Sequence, residues 1–131
     1  KINENMQKWI IIKKIGKSIY KKKKILLIGV AYKKNVDDTR ESPALEFIKI
    51  FNKKKCDVAF HDPHVRILKS RKLEKEYFSK KLTKKLIIKE KFIFLVTDHK
   101  NINYSMIKKY GKKVIDTRNI FKNGSSNIIK L

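Results

Sequence analysis

The sequence predicts an α/β fold: a parallel sheet with helices on both faces, preceded by an N-terminal helix. Three observations carry this reading. Short, continuous apolar runs at 25–30 and 92–96 have the composition of strands buried on both faces. A helix start with a physical mechanism, Ser42-Pro43, follows the first run. Strand-like and helix-like stretches then alternate along the chain, the pattern of parallel strands joined by helical crossovers.

The elements follow in order. Residues 5–20 read as a helix, because Met6, Trp9, Ile10, Ile12, Ile15 and Ile19 recur at three- and four-residue steps. A lysine connector at 21–24 leads into the first strand, 25–30. Residues 32–41 are polar and mixed in charge, hence a loop. The Ser42 hydroxyl can accept an orphan N–H, and Pro43 has no N–H to leave unpaired. That helix runs to about Asn52 and buries Ala44, Leu45, Ile48 and Phe51. The second strand, 57–61, stops at Asp62-Pro63. Residues 64–91 have weak periodicity, with a helix expected only over 82–90. After the third strand, 92–97, Asn103 caps a helix over 104–110. Ile107 faces inward there, and Gly111 is the C-terminal stop. A fourth strand at 113–116 precedes a polar tail, 119–131, with a turn at Asn123-Gly124-Ser125-Ser126. The sheet therefore has about four to six strands.

Composition sets limits on function. The chain has 131 residues and a formal net charge of +23. Lysine supplies nearly all of the positive charge; arginine occurs only at Arg40, Arg66, Arg71 and Arg118. Arginine is the preferred reader of bases and phosphates. Its scarcity, beside abundant Ile and Asn and few Ala, points to compositional drift toward AT-rich codons more than to a selected polyanion surface. A basic nucleic-acid-binding module is the alternative reading. No apolar run approaches the roughly 20 residues that span a bilayer. The polar start, with Glu4, is not a secretory signal, and the lack of an initiating Met reads as a fragment. Cys56 is the only cysteine, which excludes an internal disulfide and fits a cytoplasmic setting. It reads as a packing residue.

In a parallel sheet, ligands bind beyond the C-terminal ends of the strands. The segments leaving those ends are 31–41, 62–65, 98–101 and 117–119. A dinucleotide fingerprint needs G-x-G-x-x-G after the first strand. Gly29-Val30-Ala31-Tyr32-Lys33-Lys34 keeps only the first glycine, so a dinucleotide cradle is not expected. Anion binding remains favoured through Lys33, Lys34, Arg40 and the helix start at Ser42-Pro43. Asp37, Asp38, Thr39 and Glu41 read as residues that cap and brace the loop, with Arg40 as their alternative ion-pair partner. Asp62 reads as a turn residue. His61, His64 and His99 lack metal-ligand spacing.

The stretch from Gly29 to Ala44, GVAYKKNVDDTRESPA, strongly resembles the signature of the C-terminal, UDP-binding domain of the UDP-glucose/GDP-mannose dehydrogenase family. Its Val36-Asp37-Asp38 and Ser42-Pro43-Ala44 resemble the UDP-N-acetyl-D-glucosamine 6-dehydrogenase branch, which oxidises UDP-N-acetylhexosamines. Further matches follow in order at His61-Asp62-Pro63, Val96-Thr97-Asp98-His99 and Val114-Ile115-Asp116-Thr117-Arg118-Asn119. The match is weakest over 66–91. The resemblance implies a Rossmann-like UDP-sugar-binding domain at 25–131, with residues 1–20 as the end of an inter-domain connecting helix. It implies that Tyr32, Lys33 and Arg118 contact the nucleotide sugar and that Arg40 reaches toward NAD held by another domain.

The family's reaction is two hydride transfers to NAD, taking a primary alcohol to a carboxylate through a thiol-bound intermediate, in polysaccharide precursor synthesis. Its glycine-rich NAD site, catalytic thiol and helper lysine lie N-terminal to the segment matched here. The resemblance therefore implies no catalytic residue in this chain. NAD-binding and central domains are expected in cis or in trans, with a homodimer at full length. Neither a membrane nor a specific nucleic acid is expected as a partner. The sugar itself is left open.

Overall fold

The computed structural model describes residues 23–31, 35, 37–40 and 42–130. The helix expected at 5–20 lies outside the described residues, as do Tyr32 and Lys33. Strand β1 is Lys24–Ile28 and β2 is Asp57–His61. A short hairpin follows, β3 (Ile67–Leu68) and β4 (Tyr77–Phe78). The remaining strands are β5 (Phe92–Leu95), β6 (Val114–Asp116) and β7 (Ile128–Lys130). The helices are α1 (Pro43–Lys53), α2 (Lys84–Lys89) and α3 (Tyr104–Tyr110).

The main sheet has five strands in the order β2-β1-β5-β6-β7, all parallel. Alternation within each strand divides the core in two. Ile25, Leu27, Phe92, Phe94, Val58 and Phe60 face one side, where α1 buries Ala44, Leu45, Phe47, Ile48 and Phe51. Leu26, Ile28, Ile93, Leu95 and Val114 face the other, against Leu86 and Ile87 of α2 and Ile107 of α3. Both faces are covered, so β1 and β5 read as unbroken apolar runs. Phe51 and Phe94 meet at 5.2 Å between ring centroids, and each fully buried ring of this size contributes about 1.5–3 kcal/mol.

The caps follow the chemistry of the sequence. Ser42 Oγ accepts the Ala44 N–H at 3.1 Å, with Pro43 in the first turn of α1. The helix ends in a Schellman motif: the Lys55 N–H donates to Asn52 O and the Cys56 N–H to Phe51 O. Lys55 occupies the left-handed position (φ 60°) that glycine usually takes. Asn103 caps α3 by accepting the Met106 N–H at 3.1 Å. Gly111 stops α3, but its φ of −69° is not left-handed. Glycine is needed there for space, since a Cβ would lie 2.6 Å from Val114 Cγ2 and 2.7 Å from Ile107 O.

Two expectations need correction. The tail at 119–131 is not merely polar coil: Ile128–Lys130 extends the sheet beside β6, with Ile128 opposite Val114. Residues 66–91 hold the β3–β4 hairpin, which places Leu68 and Tyr77 on the α1 side of the core.

Candidate ligand-binding edge

Parallel strands put all five C-terminal ends on one edge of the sheet. The sheet order reverses between β1 and β5, because β1 leads outward to β2 while β5 leads the other way to β6. In such sheets ligands bind at this switch point, beyond the ends of the strands, where the loops after β1 and β5 meet. They are the segment from Gly29 to Ser42 and the segment from Val96 to Asn101.

A single buried carboxylate organises this edge. Asp62, at the end of β2, is 3% exposed. Its Oδ2 accepts the N–H groups of Val30 at 2.7 Å and Ala31 at 3.2 Å. Its Oδ1 accepts the His64 N–H at 2.7 Å, which makes it a turn residue as expected and also a bridge to the first loop. Opposite lies His99, fully buried, with Nε2 2.9 Å from Asp62 Oδ2. The other ring nitrogen, Nδ1, accepts the Asn35 N–H at 2.7 Å. An acceptor at Nδ1 places the proton of a neutral ring on Nε2, which donates to Asp62.

Further bonds hold the two loops. Thr97 Oγ1 donates to Ala31 O at 2.8 Å, and Asn35 Oδ1 accepts the Lys100 N–H at 3.0 Å. The Tyr104 hydroxyl donates to His99 O at 2.9 Å. Burial, with Asp98 nearby, pushes the Tyr104 phenol far above its usual range. Gly29 sits at φ +82° against Thr97, so the one glycine of the expected fingerprint serves close strand packing.

This arrangement does not fit a dinucleotide cradle. The Val30 and Ala31 N–H groups, where a pyrophosphate would need free donors, already bind a carboxylate. The absence of a cradle, read from the missing glycines, thus has a structural cause.

The candidate site residues fall at this edge as follows. Tyr32 and Lys33 belong to the first loop but lie outside the described residues. Arg40 is exposed in the same loop and pairs with Asp38: Nε to Oδ1 at 3.1 Å and Nη2 to Oδ2 at 3.0 Å. Its backbone N–H binds the same carboxylate, so Asp38 braces the loop. Arg118 follows β6, exposed, with its N–H on Asp116 Oδ1 at 3.1 Å. Fully buried Asp116 also accepts the N–H groups of Ile120 and Phe121 and so wraps that turn around itself. Asn35, Thr97 and His99 were missed as site residues. Metal-ligand spacing does not reveal His99, although it lies in one of the matched strand-end segments. Among the described residues, no group of three or more His, Cys, Asp or Glu is placed to hold a metal ion.

Cys56 lies at the opposite edge, before β2, with Sγ 3.9 Å from Lys54 O. Burial pushes its thiol up. A cavity of about 290 Å³ also opens at that edge, lined by Lys24, Asp57, Tyr77, Leu86, Lys89 and Glu90.

The sequence pattern of the UDP-glucose/GDP-mannose dehydrogenase family, UDP binding domain, matches residues 26–123. This chain belongs to that family. The matched span holds the whole ligand edge, from Gly29 through Asp62 and His99 to Arg118. A UDP-N-acetyl-D-mannosamine dehydrogenase from Pyrococcus horikoshii is 35% identical over 103 residues, covering 75% of this chain and 22% of the relative. A UDP-N-acetyl-D-mannosamine dehydrogenase from Methanococcus maripaludis is 33% identical over 132 residues, covering 92% of this chain and 29% of the relative. The chain therefore spans under a third of the curated relatives it matches.

Solved structures agree. A UDP-D-ManNAc dehydrogenase from Pyrococcus horikoshii superposes with a TM-score of 0.70 at 28% identity, over 97% of this chain and 29% of that one. The native UDP-N-acetyl-mannosamine dehydrogenase from Staphylococcus aureus gives a TM-score of 0.67 at 27% identity, over 98% of this chain and 30% of that one. The Rossmann-like α/β fold expected from the sequence is the fold of this family's UDP binding domain. Among the described residues, no helix is long and apolar enough to cross a membrane.

Proposed function

We propose that this chain binds the UDP moiety of a nucleotide sugar at the β1/β5 edge and serves a UDP-sugar 6-dehydrogenase. The observation that carries this reading is the anchoring of the Gly29–Ser42 loop at the topological switch point, inside the matched UDP binding domain. Tyr32 and Lys33 on that loop, with Arg118 at the end of β6, are the proposed nucleotide-sugar contacts. Arg40 is the proposed reach toward NAD held by a separate domain. Its guanidinium is exposed beside Asp38.

The whole enzyme would oxidise a primary alcohol to a carboxylate with NAD, in the cytoplasm, for polysaccharide precursor synthesis. A UDP-N-acetylhexosamine is the proposed substrate class, with UDP-N-acetyl-D-mannosamine first because the relatives carry that name. Residues 1–20 would be the end of a connecting helix, and a homodimer would form at full length. The 131 residues alone would bind without turning over, because the glycine-rich cofactor site and the catalytic thiol lie elsewhere, in cis or in trans.

Calorimetric titration of the purified chain with UDP tests the reading. Saturable binding with a much shallower salt dependence than duplex binding is expected, weakened about tenfold or more by Lys33→Ala with Arg118→Ala. Absence of UDP binding, together with steeply salt-dependent duplex binding, would favour the nucleic-acid reading instead.

A further inference from the structure

We propose that His99 is the positioning residue of the ligand loop: Asp62 fixes its ring, and its Nδ1 seats the Asn35 amide, four residues after Ala31, which Asp62 and Thr97 hold. The affinity consequence rests on the proposed UDP site; the geometric claim does not.

Both ends of this short span are pinned by buried groups. At Ala31, the N–H binds Asp62 Oδ2 at 3.2 Å and the carbonyl accepts Thr97 Oγ1 at 2.8 Å. At Asn35, the N–H binds His99 Nδ1 at 2.7 Å and the side chain accepts the Lys100 N–H at 3.0 Å. Asn35 holds φ 60°, a left-handed turn that asparagine tolerates better than most residues. Only three residues lie between the pins, among them the proposed contacts Tyr32 and Lys33.

The anchor works only with a neutral imidazole. Nδ1 can accept the Asn35 N–H while its lone pair is free, and a protonated ring has donors on both nitrogens. The groups facing the ring are few. Asp62 lies on Nε2, and the His64 ring packs against His99 at 4.6 Å between centroids. The Tyr104 hydroxyl holds the His99 carbonyl. Asp98 and Lys100 flank it in the chain, and the Lys100 N–H sits on Asn35. The Asn35 bond and the tautomer of one buried ring are therefore coupled.

Two variants separate the two ring nitrogens. Asparagine at 99 can place an oxygen near the Nδ1 position and keep the acceptor for Asn35. Glutamine can place an amide near the Nε2 position and keep the donor to Asp62. Amide hydrogen exchange by NMR on the ¹⁵N-labelled chain reads the Asn35 bond directly, with β1 amides reporting that the fold is intact. The expected result is that Asn35 loses about tenfold in protection in His99→Gln and keeps most of it in His99→Asn, with UDP affinity following the same order. In the unaltered chain, the ring ¹⁵N spectrum of His99 should show Nδ1 as the acceptor and the proton on Nε2, so the test survives if a variant does not fold. A proton on Nδ1 in place of Nε2, or equal protection in the two variants, would overturn the proposal. Lack of UDP binding by the unaltered chain would overturn the functional reading alone, and the exchange data would still decide the role of His99.

Discussion

Gly29 turns at φ +82° directly against Thr97, so closely that a Cβ on Gly29 would lie 2.6 Å from Thr97 O and 2.6 Å from Thr97 Cβ. The Gly29 N–H donates to His61 O at 2.9 Å, so this contact closes β1 between its two neighbours. Gly29→Ala adds a methyl group where backbone blocks it and forces a positive φ on a residue with a Cβ. We expect a loss of about 2–4 kcal/mol in unfolding free energy by urea titration. A loss below about 0.5 kcal/mol would show that the two strands part more easily than this packing implies.

Asp62 is the second point of control. Its carboxylate takes three backbone N–H groups and the His99 ring. Asp62→Ala strands buried donors and should cost about 3 kcal/mol or more. Asp62→Asn keeps the volume but turns one acceptor into a donor, and should still cost about 1–2 kcal/mol. Asp62→Ala and His99→Ala should combine less than additively, because they break one network. Additive losses in a double-mutant cycle would deny the coupling.

These two residues also show what the sequence made legible. The strands at Ile25–Ile28 and Phe92–Leu95 stood out because both faces are buried, so every position is apolar. The start of α1 stood out because Ser42 and Pro43 solve the orphan N–H problem locally. Strand β7 did not, because three residues gain stability only by pairing with β6, and the turn before them is polar. The β3–β4 hairpin was hidden for the same reason: two-residue strands carry no period. His99 and Asn35 were invisible as partners because their bond joins residues 64 positions apart. Spacing tests find ligands within one element and not contacts between two loops.

Glu90 offers a test by pH. It is 3% exposed, and its Oε1 has no hydrogen-bond partner. Burial raises its carboxyl pKa, against the pull of Lys24 and Lys89. An acid raised on folding binds more protons in the folded state, so it costs stability as pH rises from its unfolded value through its folded one. Glu90→Gln should therefore stabilise the chain by about 1 kcal/mol at neutral pH, with the gain shrinking as pH falls and Glu90 itself protonates. A destabilised variant at neutral pH, or a gain that grows toward acid, would contradict the burial argument.

Cys56 gives a negative control with a direction. Its thiol is pushed up by burial and lies at the edge opposite the ligand loops. Cys56→Ser should leave UDP affinity unchanged within about twofold, and the thiol should react with alkylating reagents more slowly than a free cysteine. Fast alkylation coupled to loss of UDP binding would place the thiol in the site.

The most direct measurement is the map of UDP on the chain by amide chemical shifts. The account predicts shifts concentrated at the C-terminal edge, in residues 29–35, 97–100 and 117–119, with Lys24, Asp57 and Glu90 at the far edge unmoved. Shifts centred on the far-edge cavity, with the Gly29–Ser42 loop silent, would contradict it.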